Sequence, residues 1–156
     1  MVVRAAVAAD HVGELVRRTW GSSVMVVDRR VFDCAQLPAL VAVDGGRVVG
    51  VLAYAVTDGE LEIIACEALV NGRGVGRSLV EGAMAVARES GARRLRCTTT
   101  NDNLSALGFW QAVGFSLAAL RRNAVSASRA IKPDIPLVGQ RGLPIRDEID
   151  LERLLD

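Results

Sequence analysis

Histidine is nearly missing from this chain: His11 is the only one, and the three cysteines, Cys34, Cys66 and Cys97, follow no metal-ligand spacing. That scarcity excludes a zinc site, and the odd cysteine count excludes a disulfide framework. No metal ligand is expected. Cys66 and Cys97 lie in apolar runs, where cysteine behaves as a small buried hydrophobe. No apolar run approaches membrane-spanning length, and Met1-Val2-Val3-Arg4 lacks the pattern of a secretion signal, so no membrane partner is expected. The expected compartment is a reducing cytoplasm. An excess of one charge is missing too. The 19 basic and 18 acidic residues give a net charge of +1, which offers no support for a nucleic-acid partner.

What is present is apolar and ordered. Over 156 residues, 51% are hydrophobic and 24% charged, enough for one domain, 1–156, with a real core. Residues 2–7 read as a first strand, and 10–19 as a helix with Val12, Leu15 and Val16 at helical spacing. Residues 24–27 fit a short strand or an extended loop equally. Ala39 to Val43 and Val48 to Val56 are strands joined by the turn Asp44-Gly45-Gly46. Asp58-Gly59 then leads into a third strand, Leu61 to Val70. Residues 75–90 read as a helix with Val75, Leu79, Ala83 and Val86 on one face, ended by Gly91. Arg93 to Thr99 returns as a strand. A strand–helix–strand crossover of this length implies a parallel pair in an otherwise antiparallel sheet. A helix over 104–113, a strand over 115–120, a connector from 122 with a short helix at 124–131, and a final strand over 145–155 complete an α/β chain.

The sequence between the third strand and its helix is Val70-Asn71-Gly72-Arg73-Gly74-Val75-Gly76-Arg77-Ser78. Glycines at alternate positions let the backbone approach a ligand closely. The first helical N–H groups lack helical partners, and the helix dipole is positive there, so an anionic phosphate is the usual occupant. The residues exclude two common phosphate loops. Gly76 is followed by Arg77-Ser78 where a P-loop needs Lys-Ser/Thr, and neither glycine frame supplies the third glycine of a dinucleotide fingerprint.

Downstream stands Asn103-x-x-Ala106-x-x-Phe109-Trp110-x-x-x-Gly114-Phe115. With this motif and the loop Asn71-Gly72-Arg73-Gly74-Val75-Gly76, the chain resembles the GNAT superfamily of acetyl-CoA-dependent N-acetyltransferases, here a small bacterial-type member. It departs from the family pattern at Asn71, where Gln or Arg is usual, and at Trp110, where Tyr is usual. The resemblance implies a GNAT-like domain whose mixed, mostly antiparallel sheet, flanked by helices, splays at the parallel strand pair, with 122–156 as connector plus C-terminal strand. It also implies the cofactor, acetyl-CoA. The coenzyme arm would pair with the strand edge at Leu69 and Val70. Its pyrophosphate would sit on the N–H groups of Arg73, Gly74, Val75, Gly76, Arg77 and Ser78. Asn103 and Trp110 would complete the cofactor contacts. Taken alone, Asn103 reads equally as a helix cap, and Phe109 and Phe115 as core.

Attack of an amine on a thioester needs a base for the ammonium, a stabilised oxyanion and a departing thiolate. Glu67 is the first candidate base and Glu62 the second, both on the strand entering the loop; Glu60 lies at its turn. Trp110 cannot supply the proton that the family's Tyr gives, and the one tyrosine, Tyr54 on the preceding strand, could face the acceptor side, though such a residue is more often core. The implied partners are acyl-CoA and an amine acceptor, with a homodimer left open. Asp147, Glu148 and Asp150 could favour a cationic amine, but such a charge run is ordinarily a solvated face. The function expected is acetyl transfer to a primary amine by direct attack in a ternary complex. The alternative is a non-catalytic acyl-CoA-binding sensor or partner module, motivated by Trp110 and Asn71.

Overall fold

The computed structural model describes residues 1–156. The chain divides into two compact units. One comprises Met1–Met25, Phe32–Leu95 and Leu154–Asp156, the other Val26–Val31 and Arg96–Arg153.

The first unit opens with β1 (Val2–Ala5) and α1 (Val12–Trp20). Gly21, left-handed at φ 78°, ends α1. β2 (Val24–Val27) and β3 (Arg30–Asp33), whose inner residues Val26–Val31 are counted with the second unit, form a two-stranded hairpin. Residues 24–27 are therefore a strand, and β3 is a strand that the sequence pattern does not announce. Its turn, Asp28-Arg29, adopts left-handed φ values of 48° and 62° without a glycine. The usual hairpin signal is absent for that reason.

β4 (Ala39–Asp44), β5 (Arg47–Thr57) and β6 (Glu60–Ala68) follow, and the strands run antiparallel in the order β1-β4-β5-β6. α2 (Val75–Glu89) covers one face of this sheet. It packs so closely that a Cβ on Gly50 would run into Val75, and one on Gly82 would stand 2.8 Å from Val3 Cγ1. The buried stripe of α2 is Val75, Leu79, Val80, Ala83, Met84 and Ala87. Ala87 takes the inward place expected of Val86, as a 3.6-residue repeat counted from Val80 requires. α1 lies on the other face, where Val16 packs with Val41, Val51, Ala53 and Ala65.

The pairing of β5 with β6 contains one irregularity. Ala53 lies opposite Ala65, but Tyr54 lies opposite Ile63, so Ile64 is an extra residue in β6. Such a bulge reverses the alternation of side chains beyond it. β7 (Arg94–Thr100) begins beside the start of β6. The Arg93 N–H donates to Gly59 O at 2.9 Å, and Arg94 meets Glu60 at 2.7 Å. Two strands that start together run parallel, as the crossover length predicts.

The second unit holds the rest of β7, then α3 (Leu104–Ala112), β8 (Ser116–Arg121), α4 (Ala124–Ile131) and β9 (Glu148–Leu154), with β9 between β7 and β8. The register places Arg121 opposite Glu148. β9 starts three residues later than the apolar pattern suggests, because Ile145 N–H donates to Leu137 O and Val138 bridges to Pro144, closing a separate loop. No helix of the chain is long and apolar enough to cross a membrane.

Candidate active site

β6 runs out at Ala68, and residues 69–74 form an open loop into α2. Gly72 and Gly74 have φ of 74° and 70°, and nothing lies within 4 Å of where a Cβ would stand on either. The two glycines therefore serve the turn and leave its outer side bare. Gly74 caps α2 with no side-chain hydrogen bond, and the first turn of the helix carries no acidic residue. Ser78 N–H is bonded to Gly74 O at 3.0 Å, so the amides of Val75 and Gly76 precede the hydrogen-bonded ladder of the helix. An uncapped helix start with no carboxylate on it leaves partial positive charge facing outward, which favours a negative group there.

Two expected contacts change character here. The Ser78 amide is committed to the helix, which leaves its hydroxyl as the group it can offer. The Leu69 N–H donates to Val49 O at 2.9 Å, so Leu69 offers its exposed side chain. Arg73, mostly exposed, is paired with Asp44 at 2.8 Å, and Asp44 also receives the Met1 ammonium at 3.3 Å. A surface pair of this kind is worth about 0–1 kcal/mol, so a phosphate can compete for Arg73. Val70, Arg73 and Val75 line a cavity of about 90 Å³ with Met1, Asp44 and Val49.

Glu62 and Glu67 are five residues apart, which in a regular strand would set them on opposite faces. The bulge at Ile64 changes that. Glu62 lies opposite Ala55 and Glu67 opposite Val51, so both share the face that carries α1. Glu62 is 2% exposed. Glu67 is half-buried, and desolvation pushes its carboxyl above the ordinary value. Glu60 is occupied by Arg94. Tyr54 lies opposite Ile63 on the α2 face, away from both carboxylates, and burial raises its hydroxyl as well. Burial, and then the Glu67 charge, push the Cys66 thiol up to about 12. A thiol held there remains protonated near neutrality and is no nucleophile.

In the second unit Asn103 caps α3, its Oδ1 accepting the Ala106 N–H at 3.1 Å. Trp110 is buried, with its ring 5.0 Å from those of both Phe109 and Phe115. The acidic run is not a solvated face. Asp147, Glu148 and Asp150 are all buried. Glu148 accepts from Arg121 at 2.8 Å, from the Ser128 hydroxyl at 3.0 Å and from the Asp28 N–H at 3.0 Å. Asp150 takes the Thr98 hydroxyl at 2.6 Å and a second arm of Arg121. Burial alone would raise the Asp150 carboxyl, but Arg121 and Thr98 outweigh it and hold it below the usual range. The sequence pattern does not find Arg121. Its one signal is Glu148-x-Asp150, two carboxylates on one strand face, which cannot both be buried without a cation opposite.

The family model described as the acetyltransferase (GNAT) family matches residues 10–115. Two Bacillus subtilis proteins, YxbD and YdhI, are 35% and 31% identical over 150 and 151 residues, covering 96% of this chain and 94% of each relative. Among solved structures, the IAA acetyltransferase from Bacillus cereus superposes with a TM-score of 0.72 at 22% identity, covering 99% of both chains. A Bacillus subtilis acetyltransferase in complex with CoA gives 0.71 at 17%, over 99% of this chain and 98% of that one. A GNAT family acetyltransferase from Elizabethkingia anophelis with acetyl-CoA bound gives 0.70 at 18%, over 99% and 97%.

Proposed function

Because the chain belongs to the acetyltransferase (GNAT) family, we propose that it moves an acetyl group from acetyl-CoA to a primary amine by direct attack in a ternary complex. The observation that carries this reading is the uncapped start of α2 behind two left-handed glycines with open space around them. The coenzyme's pyrophosphate sits there on the amides from Arg73 to Arg77, with the Ser78 hydroxyl beside them. Leu69 and Val70 flank its arm, and Asn103 and Trp110 are further contacts. The solved relatives with CoA or acetyl-CoA bound support the choice of coenzyme.

Glu67 takes the proton from the ammonium, directly or through water, and Glu62 is the second candidate. The freed nitrogen lone pair attacks the thioester carbonyl, the tetrahedral adduct gives up a second N–H proton to water as its C–S bond breaks, and the thiolate that leaves takes a proton back from water. A thiolate needs little help, since a free thiol titrates near roughly 8–9. Holding amine and thioester in line in a dry cleft supplies most of the rate. No acyl-cysteine intermediate enters, because Cys34 and Cys97 are buried and the Cys66 thiol stays protonated.

Gly74→Glu tests the loop. A carboxylate at the helix start is expected to abolish acetyl-CoA binding measured by calorimetry, while Gly74→Ala separates out the backbone strain. Unchanged affinity in Gly74→Glu would remove the loop assignment. The burial of Trp110 among rings, without a hydroxyl, favours one second reading, an acyl-CoA-binding module without turnover. The two readings part on whether an amine stimulates release of CoA.

A further inference from the structure

Asn103 can present its carboxamide in only one orientation. The Ala106 backbone N–H meets it at 3.1 Å. An amide N–H only donates, so the atom it meets is the oxygen. The Nε2 of Gln140 donates to the same oxygen at 3.3 Å. Both acceptor positions of Oδ1 are thus in use, while Nδ2 has no partner in the protein and is not buried.

Gln140 is held there by its own loop. Gly139 N–H donates to Leu143 O at 2.8 Å, and Ile145 N–H to Leu137 O at 2.9 Å, folding residues 137–145 back on themselves. The loop is seated on Asp102, a carboxylate 5% exposed, which accepts the Gln140 backbone N–H at 3.1 Å and the Thr100 hydroxyl. Gly139 lies against that carboxylate with no room for a Cβ. A buried carboxylate is costly to leave unbonded, so the loop has one favoured seat.

We propose that Gln140 is a positioning residue. Together with the Ala106 N–H it holds the Asn103 oxygen inward, so Asn103 offers a bound coenzyme only N–H donors and takes a carbonyl oxygen of its amide-bearing arm. This rests on the coenzyme binding proposed above and assigns the bond at one point of it.

Calorimetric titration of the full chain with acetyl-CoA tests the assignment. Gln140→Glu keeps the side-chain length but sets an acceptor against Oδ1, and affinity is expected to fall about 3–10-fold, the worth of one neutral hydrogen bond. Gln140→Lys restores a donor and is expected to return affinity to within about twofold of the original. Adenosine 3′,5′-bisphosphate, which carries coenzyme phosphates without the arm, should bind Gln140→Glu and the unaltered chain equally. Asn103→Asp keeps the capping oxygen and deletes the donor, so adding Gln140→Glu to it should cost nothing further. Unchanged acetyl-CoA affinity in Gln140→Glu, additive losses in the double variant, or a parallel loss of bisphosphate binding would each overturn the proposal. An unaltered chain that binds neither probe would overturn the coenzyme reading instead.

Discussion

Glu67 illustrates how much one carboxyl can be asked to do. Desolvation raises its pKa, so the neutral form is favoured by folding. Its contribution to stability is then full below the ordinary glutamate range and is lost as pH rises through the raised value. The same shift makes it a better acceptor for an ammonium proton. Glu67→Gln is therefore expected to remove the acidic limb of the kcat/KM profile and lower kcat by about 10²-fold or more, leaving acetyl-CoA affinity intact. Its melting temperature should exceed that of the original chain at pH 8 but not at pH 4. A retained acidic limb would exclude Glu67 as the base. Trp110 is the opposite case, a residue whose packing competes with chemistry. Trp110→Tyr loses ring contacts with Phe109 and Phe115 and is expected to cost about 1–2 kcal/mol of stability, less than truncation to alanine. Turnover at saturating acetyl-CoA should nevertheless rise, because a phenol can give a proton to sulfur. No gain would place the limiting step elsewhere.

At the level of elements, a single extra residue in β6 sets the site's handedness. Five-residue spacing would separate Glu62 from Glu67, and the bulge at Ile64 reunites them. Bulges leave no compositional trace, so the sequence names both residues without being able to say that they share a face. The glycine loop was legible because its signal is local: strand, small residues, helix. The β2–β3 hairpin was not, because Asp28-Arg29 turns without the residues that usually mark such a turn. The seat of α2 offers a prediction of its own. Gly50→Ala drives a methyl group into Val75 and toward the Glu67 carbonyl, 3.1 Å away, whereas Gly82→Ala presses on Val3 farther along the helix. Both should cost about 1–3 kcal/mol in urea denaturation. Only Gly50→Ala should also weaken acetyl-CoA binding, since it tilts the first turn. Equal affinities in the two variants would show that the helix start is insensitive to its seat.

For the molecule as a whole, the acidic C-terminal strand matters more than its sequence suggests. Asp147, Glu148 and Asp150 read as a water-facing run, yet Arg121, 27 residues before Glu148, draws Glu148 and Asp150 inside. Such a partnership depends on strand register, which no local pattern reveals. Arg121→Met is expected to destabilise by about 3–5 kcal/mol, because buried Glu148 loses its cation and Asp150 is left with the more distant Arg96, 4.0 Å away. The pH dependence should also change sign. In the unaltered chain the depressed Asp150 carboxyl contributes stability that is lost as pH falls through its pKa. Without Arg121, burial dominates and raises that carboxyl, so the variant should be more stable at pH 5 than at pH 8 in guanidinium melts. Parallel profiles would show that Arg121 does not neutralise the pair. The three cysteines bring a practical advantage at this same scale. Two side chains are sealed from solvent and the third holds its proton up to about 12. A colorimetric disulfide reagent added to the native protein is therefore expected to meet little competing sulfur, and a protein-only blank gives the baseline above which its colour counts coenzyme set free.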